Sequence, residues 1–199
     1  GEVLSVQDLL YGLMLRSGND AAMALAVFCD GSAEAFAQRM NARAQQLGLT
    51  GTQYRNPHGL DDDGNYSTAR DLAHLTAHAL ENPAFRSIVS TRSVTVGSRQ
   101  LVNHNKLLWQ LEGADGVKTG FTKKAGRILV SSCTRQGRRL IAVTMNDGND
   151  WKDHQNLMES GFNDYSVQQL VRTGECLGSV PVISGEANCV KLLATEDFS

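Results

Sequence analysis

An α+β fold is predicted for this 199-residue chain by three observations. Apolar residues recur at helical spacing from Val6 to Leu80, and after Ser90 the period shortens to strand-like runs. One further amphipathic stripe then precedes a tail broken by glycines.

Val6, Leu9, Leu10, Leu13 and Met14 follow the i, i+3, i+4, i+7, i+8 spacing of one helical stripe. Ser5 is placed to cap that helix, with Asp8 completing a variant of the capping box. Arg16 to Asp20 interrupts it, and the pattern resumes from Ala21 to Cys29 with Ala22, Leu25, Ala26 and Cys29 on one side. A polar turn between two apolar helices presents side chains from rigid supports. Ser32 and Gly48 bracket a third helix whose stripe is Phe36, Met40, Ala44 and Leu47. Thr50 to Asn65 reads as loop, and Asp61-Asp62-Asp63 within it as a solvated turn, because the spacing of a calcium loop is absent. Thr68 with Asp71 restarts a helix through Leu72, Leu75, Ala79 and Leu80, which Pro83 helps to close. His74 and His78 on it read as surface histidines rather than metal ligands.

Beyond Ser90, Ser93–Val96 and Gln100–Val102 flank Gly97-Ser98 as a short hairpin, and Gly116–Thr122 is extended. Arg127–Cys133 and Leu140–Met145 are strands joined at Gln136-Gly137. Trp151, His154, Leu157 and Met158 mark an amphipathic helix ending near Gly161. From Val171 the pattern is strand-like and interrupted by Gly174, Gly178 and Gly185.

Composition narrows the function. Apolar residues at 41% and charged residues at 20% describe an ordinary globular chain. A net charge of −2 gives no reason to expect nucleic acid or an anionic membrane as partner. Cys29, Cys133, Cys176 and Cys189 form no Cys-x-x-Cys pair, so no metal site is expected. Cys29 and Cys133 read as buried thiols, and a facing of Cys176 and Cys189 across a hairpin stays open. Gly1-Glu2 runs directly into a helix pattern without a signal peptide, as expected of a truncated chain.

Two strings carry the chemistry, Ser17-Gly18-Asn19 and Lys118-Thr119-Gly120. A hydroxyl such as that of Ser17 both donates and accepts, so it can relay a proton. Asn19 offers a carbonyl and an amide suited to a peptide backbone. Lys118 supplies a positive charge, Thr119 a hydroxyl, and Gly120 a bare stretch of strand edge for substrate to lie against. Together they form the second and third elements of the signature found in penicillin-interacting serine enzymes. The first element, Ser-x-x-Lys, is absent; the nearest approach is Ser67-Thr68-Ala69-Arg70.

The text around these strings resembles the D-alanyl-D-alanine carboxypeptidases of the low-molecular-mass penicillin-binding proteins. The resemblance runs from Gln7–Leu13 into Ser17–Ala22, and through Met40-Asn41, Leu47–Leu49 and Thr52. It continues through Asn56–Leu60, Ser67–Ala69, Asp71–Ala73, Asn103–Asn105 and Leu107-Leu108 to Asp115–Thr122 and Ala125-Gly126. It covers about residues 2 to 165 and implies a transpeptidase-like fold, an antiparallel sheet flanked by helices, over residues 1–165. Residues 166–199 read as a linker and the first strands of a small C-terminal β domain, whose opening strands Val171 to Ser199 resemble.

The resemblance implies removal of the terminal D-alanine from peptidoglycan stem peptides ending in D-Ala-D-Ala, through an acyl-enzyme that β-lactams trap. Ser17 would relay protons, Asn19 would position substrate, and Lys118 and Thr119 would meet the terminal carboxylate. Gly120 would clear the strand edge, and the backbone N–H of Phe121 would form half of the oxyanion hole. No cofactor is implied. The setting is the outer side of the cytoplasmic membrane, with the parent protein tethered there in some members. The missing Ser-x-x-Lys leads to the expectation that these residues alone are inactive and, with unpaired edges, prone to self-association. A β-lactamase-like hydrolase and a non-catalytic peptidoglycan-binding module are the alternatives. The first is disfavoured by Asn19–Ala22 and Asn56–Leu60, and by the lack of a glutamate in an obvious deacylating motif.

Overall fold

In a computed structural model, which describes residues 2–198, Ser5 caps α1 (Val6–Arg16) by accepting from the Asp8 N–H, while the Asp8 carboxylate accepts from the Ser5 N–H at 3.1 Å. The described residues divide into two compact units between Gly161 and Phe162.

The first unit begins with helices. α2 (Asn19–Asp30) starts two residues sooner than the polar run suggests, so the break from α1 is only Ser17-Gly18. Two residues suffice because Ser17 takes the left-handed conformation and Gly18 an extended one. A Cβ on Gly18 would lie 3.1 Å from Asp20 Oδ1 and 3.3 Å from the Gly12 carbonyl, so the tight exit favours glycine. On α2 the stripe Ala22, Leu25 and Ala26 is buried, but Cys29 is exposed, contrary to the expectation of a buried thiol. It lies in the last turn, one turn past the covered part of the stripe. Cys133 is buried as expected, its thiol donating to the Glu112 carbonyl.

α3 (Ala33–Gln46) is capped by Ser32 and released by Gly48 at φ +70°; α4 (Ala69–Ala79) is capped by Thr68. Pro83 does more than end α4. It occupies the first turn of α5 (Pro83–Ser90), whose N-terminus the Asn82 side chain caps by accepting from Ala84 and Phe85. The hairpin of β1 (Ser93–Val96) and β2 (Arg99–Val102) follows, then the single turn α6 (Leu107–Gln110).

β3 (Ala114–Thr122), β4 (Gly126–Arg135) and β5 (Arg138–Met145) form an antiparallel sheet in that order, with Gln136-Gly137 as the two-residue turn at positive φ. α7 (Asp150–Asn163) completes the unit's elements. Val130 of β4 joins Leu80, Val89 and Val117 in a core that α1 and α4 reach through Met14 and Leu72. The next residue, Ser131, hydrogen-bonds His154 of α7 at 2.6 Å. Successive strand residues point to opposite faces, so the sheet is flanked by helices on both sides. This is the antiparallel sheet flanked by helices expected from the sequence.

The second unit carries the antiparallel hairpin of β6 (Cys176–Pro181) and β7 (Cys189–Leu193), exposed along both strands. Cys176 pairs with Leu193 and Cys189 with Pro181, which sets the cysteines at opposite ends; both are free thiols. Among the described residues no helix is long and apolar enough to cross a membrane.

Candidate active site

The break between α1 and α2 brings Ser17 out at φ +56°, ψ +41°, with its hydroxyl exposed. A non-glycine residue in this region is uncommon and is held here by the helices on either side. Lys118 of β3 donates from Nζ to Ser17 Oγ, closing a span of 101 residues, and to its neighbour's carbonyl at Thr119 at 2.6 Å. Both acceptors are uncharged, so nothing offsets the dehydration of the ammonium, and burial pushes Lys118 down to about 8. Asn19 stands at the first helical position of α2 with an exposed side chain.

A groove of about 510 Å³ is lined by Ser17, Thr119, Gly120 and Phe121, and by His104, Arg127 and Trp151 from other elements. β3 is the edge strand of its sheet, so its outer backbone groups meet no other strand among the described residues. A Cβ at Gly120 would touch only Ile128, at an ordinary 3.8 Å. The fold therefore does not need glycine there; its absent side chain leaves the groove clear. Phe121 is 70% exposed.

Asn103-His104-Asn105 works as a strut. Asn105 is fully buried and donates from Nδ2 to the Gly116 carbonyl of β3, while Asn103 donates to the Thr91 carbonyl. His104 between them donates its backbone N–H to the Leu15 carbonyl near the end of α1, which seats the imidazole beside the Ser17 turn. Burial, and then the charges of Arg16 and Lys118, hold that imidazole below its ordinary pKa.

Five residues of the groove wall, His104, Arg127, Ile128, Asp150 and Trp151, were not expected as site residues from the sequence. Arg127 is forked onto Asp150, with Nε 3.0 Å from Oδ2 and Nη2 2.7 Å from Oδ1, and Asp150 is only 3% exposed. The Arg127 guanidinium carbon lies 5.7 Å from the Trp151 ring centroid, and Lys106 Nζ lies 5.9 Å from it. No short motif joins positions 127 and 150. The available signal was an acid opening the helix that follows the next strand after a basic strand residue.

A second cavity of about 540 Å³ lies between α3 and α4, lined by Phe36, Met40 and Leu75 among others. Its walls bring arginines and Tyr54 but no carboxylate, histidine or serine, so it offers no acid–base pair.

A protein-family model described as D-alanyl-D-alanine carboxypeptidase matches residues 1–149. D-alanyl-D-alanine carboxypeptidase DacF of Bacillus subtilis is 32% identical over 207 residues, spanning 100% of this chain and 53% of its own. Penicillin-binding protein 5 from Haemophilus influenzae superposes with a TM-score of 0.86 at 36% identity, covering 97% of this chain and 58% of that one. Penicillin-binding protein D2 from Listeria monocytogenes, in its ampicillin-bound form, superposes with a TM-score of 0.76 at 34% identity, covering 82% and 70%. The chain spans about half the length of the curated relatives it matches.

Proposed function

The chain belongs to the D-alanyl-D-alanine carboxypeptidase family, and from that premise we propose that it carries the proton-relay and substrate-holding walls of a serine acyl-transfer site. The substrate is a peptidoglycan stem peptide ending in D-Ala-D-Ala, met on the cell-wall side of the cytoplasmic membrane. The observation that carries this reading is the hydrogen bond from Lys118 to Ser17, which joins the two motifs across 101 residues.

In the proposed reaction a hydroxyl outside these residues gives its proton to a base also outside them and adds to the carbonyl carbon of the penultimate D-alanine. The C=O electron pair moves onto the oxygen, which the backbone N–H of Phe121 faces. The C–N bond then breaks, the electron pair leaves with the terminal D-alanine, and its amine takes a proton. Ser17 relays that proton, passing its hydroxyl proton to the amine as its oxygen takes one from Lys118, which already donates to it. Asn19 and Thr119 hold the peptide, and water hydrolyses the ester in the second half of the cycle. Ser-x-x-Lys is absent from these 199 residues, so Ser17 is assigned the relay and not the attack. A Lys118 lowered by burial to about 8 suits a group that helps move a proton. The ampicillin-bound form of the Listeria protein supports β-lactams as further ligands of this fold.

Covalent labelling by a fluorescent penicillin, applied to this chain and to the longest product of its gene, tests the reading. Labelling of the longer product alone supports a serine carboxypeptidase whose attacking hydroxyl lies outside these residues. Labelling of neither supports a non-catalytic peptidoglycan-binding module. Rapid turnover of the penicillin marks a β-lactamase-like hydrolase. Labelling of the 199-residue chain itself would overturn the relay role of Ser17 or the absence of a nucleophile.

A further inference from the structure

We propose that Asp115 is the positioning residue that sets Lys118 against Ser17, by locking the bulge through which β3 approaches the groove; the proposal rests on the function just given. Ala114 of β3 pairs with Cys133 of β4, and Gly116 with Ser132, so Asp115 is an extra residue without a partner in the ladder. A bulge of this kind bends the strand and shifts the phase of every residue after it. The Asp115 side chain makes up for the lost pairing. Its carboxylate accepts from Ser132 Oγ and, at 2.7 Å, from Thr134 Oγ1, both on β4, and from Arg139 Nη2 of β5 at 3.1 Å. Arg139 Nε also donates to Thr134 Oγ1 at 3.0 Å, which ties β5 into the same cluster. One carboxylate thus fastens the bulge to both other strands of the sheet.

The phase set by the bulge decides where Lys118 goes. Past Gly116 the pairing is regular, with Val117 opposite Ser131, Lys118 opposite Val130 and Thr119 opposite Leu129. Val117 lies in the apolar core with Leu80 and Val89, and Lys118 reaches Ser17. A slip of one residue in one direction would bring Lys118 to the core position of Val117. A slip in the other would bring a side chain to the place of Gly116, where a Cβ would lie 3.0 Å from Val89 Cγ2. Only two residues separate Asp115 from Lys118, too few to absorb such a shift. The far flank of the bulge is held by Asn105, which donates to the Gly116 carbonyl at 2.8 Å. Asp115 lines no part of the groove, so it acts through Lys118 and does not meet substrate.

Two measurements test this. In the 199-residue chain with isotope-labelled lysine, NMR follows the titration of Lys118, assigned by its loss in Lys118→Ala. Burial holds that lysine near 8 in the unsubstituted chain. In Asp115→Ala the loosened strand admits water, and the titration should move up toward 10.5. Asp115→Asn should fall between, since the amide keeps one acceptor and loses the charge facing Arg139. The imidazole signals of His154, held by Ser131 and Thr144, report whether the sheet is intact. In the longest product of the gene, the time course of fluorescent-penicillin labelling separates how many molecules react from how fast each reacts. Asp115→Ala should slow the rate roughly ten- to a hundredfold, Asp115→Asn less, and Thr134→Val, which removes one donor, least. An unmoved Lys118 titration in Asp115→Ala would overturn the proposal. So would a smaller labelled fraction reacting at an unaltered rate, the mark of a purely structural role. Where Asp115→Ala loses the His154 signals, Asp115→Asn and Thr134→Val decide by the same criteria. If the unsubstituted gene product takes no label, the enzyme reading fails, and the titration alone upholds or overturns the hold of Asp115 on Lys118.

Discussion

On the α1 side of the groove a lysine gives its protons to a hydroxyl and a carbonyl, while on the α7 side an arginine is forked onto a buried carboxylate and stacked on an indole. The partners decide what each cation does. Lys118 has only uncharged acceptors, and burial lowers it to about 8. A carboxylate partner raises the pKa of Arg127 further, so its charge is permanent. The two cations of the site are thus shifted in opposite directions, Lys118 by burial and Arg127 by its carboxylate partner.

The sharpest break of this contrast is Lys118→Ala. In the penicillin-labelling gene product it should slow acylation by roughly two orders of magnitude, the usual cost of a lost preorganised donor. Stability should hardly suffer. The folded pKa of Lys118 lies below its unfolded value, so below about pH 8 the buried ammonium costs stability, a cost relieved as pH rises toward the unfolded value. The unfolding midpoint of the variant at pH 7 should therefore stay level or rise. Unchanged acylation would remove Lys118 from the mechanism.

A smaller effect sharpens the other wall. His154, one turn along α7 from Asp150, is fully buried between Ser131 Oγ at 2.6 Å and Thr144 Oγ1 at 3.0 Å, and burial pushes it down to about 4. Its folded pKa is depressed, so the unfolded chain binds the extra proton first as pH falls. Stability should then decline from about pH 6.5 to about pH 4. His154→Gln should flatten that part of a urea-unfolding profile; an unaltered slope would show that other groups set it.

The smallest effect concerns space. Gly120→Ala should leave the melting temperature within a degree or two, because the added methyl meets only Ile128 at 3.8 Å. Peptide binding should weaken several-fold if substrate lies against this edge. Equal binding by the variant would move the substrate path elsewhere.

These regions differ too in how far they were legible from sequence. The helices with a cap and a full stripe, at Ser5, Ser32 and Thr68, stand where periodicity and capping put them, because both signals are local. Ser17 and Lys118 were legible through motif strings, and the structure brings them into contact. α5 was missed because Pro83 signals an ending and an opening equally well, and eight residues carry little periodicity. Cys29 lies on the right stripe yet is exposed, since burial depends on what covers a turn as well as on its spacing. Arg127 and Asp150 gave no motif, because a cross-element ion pair has no fixed separation along the chain.

The two walls also differ in how far apart their parts lie along the chain. Thr119 and Arg127 belong to one hairpin and are set beside each other by a nearby turn, whereas Ser17 reaches Lys118 only once a hundred residues of helix and loop are in place. Closing that longer span carries the larger loop entropy. The hairpin wall should therefore form early and survive a partial opening of the helices, and the hydrogen bond from Lys118 to Ser17 should be the last contact made and the first lost. Amide exchange would report this order directly, with β4 protected longer than the turn at Ser17.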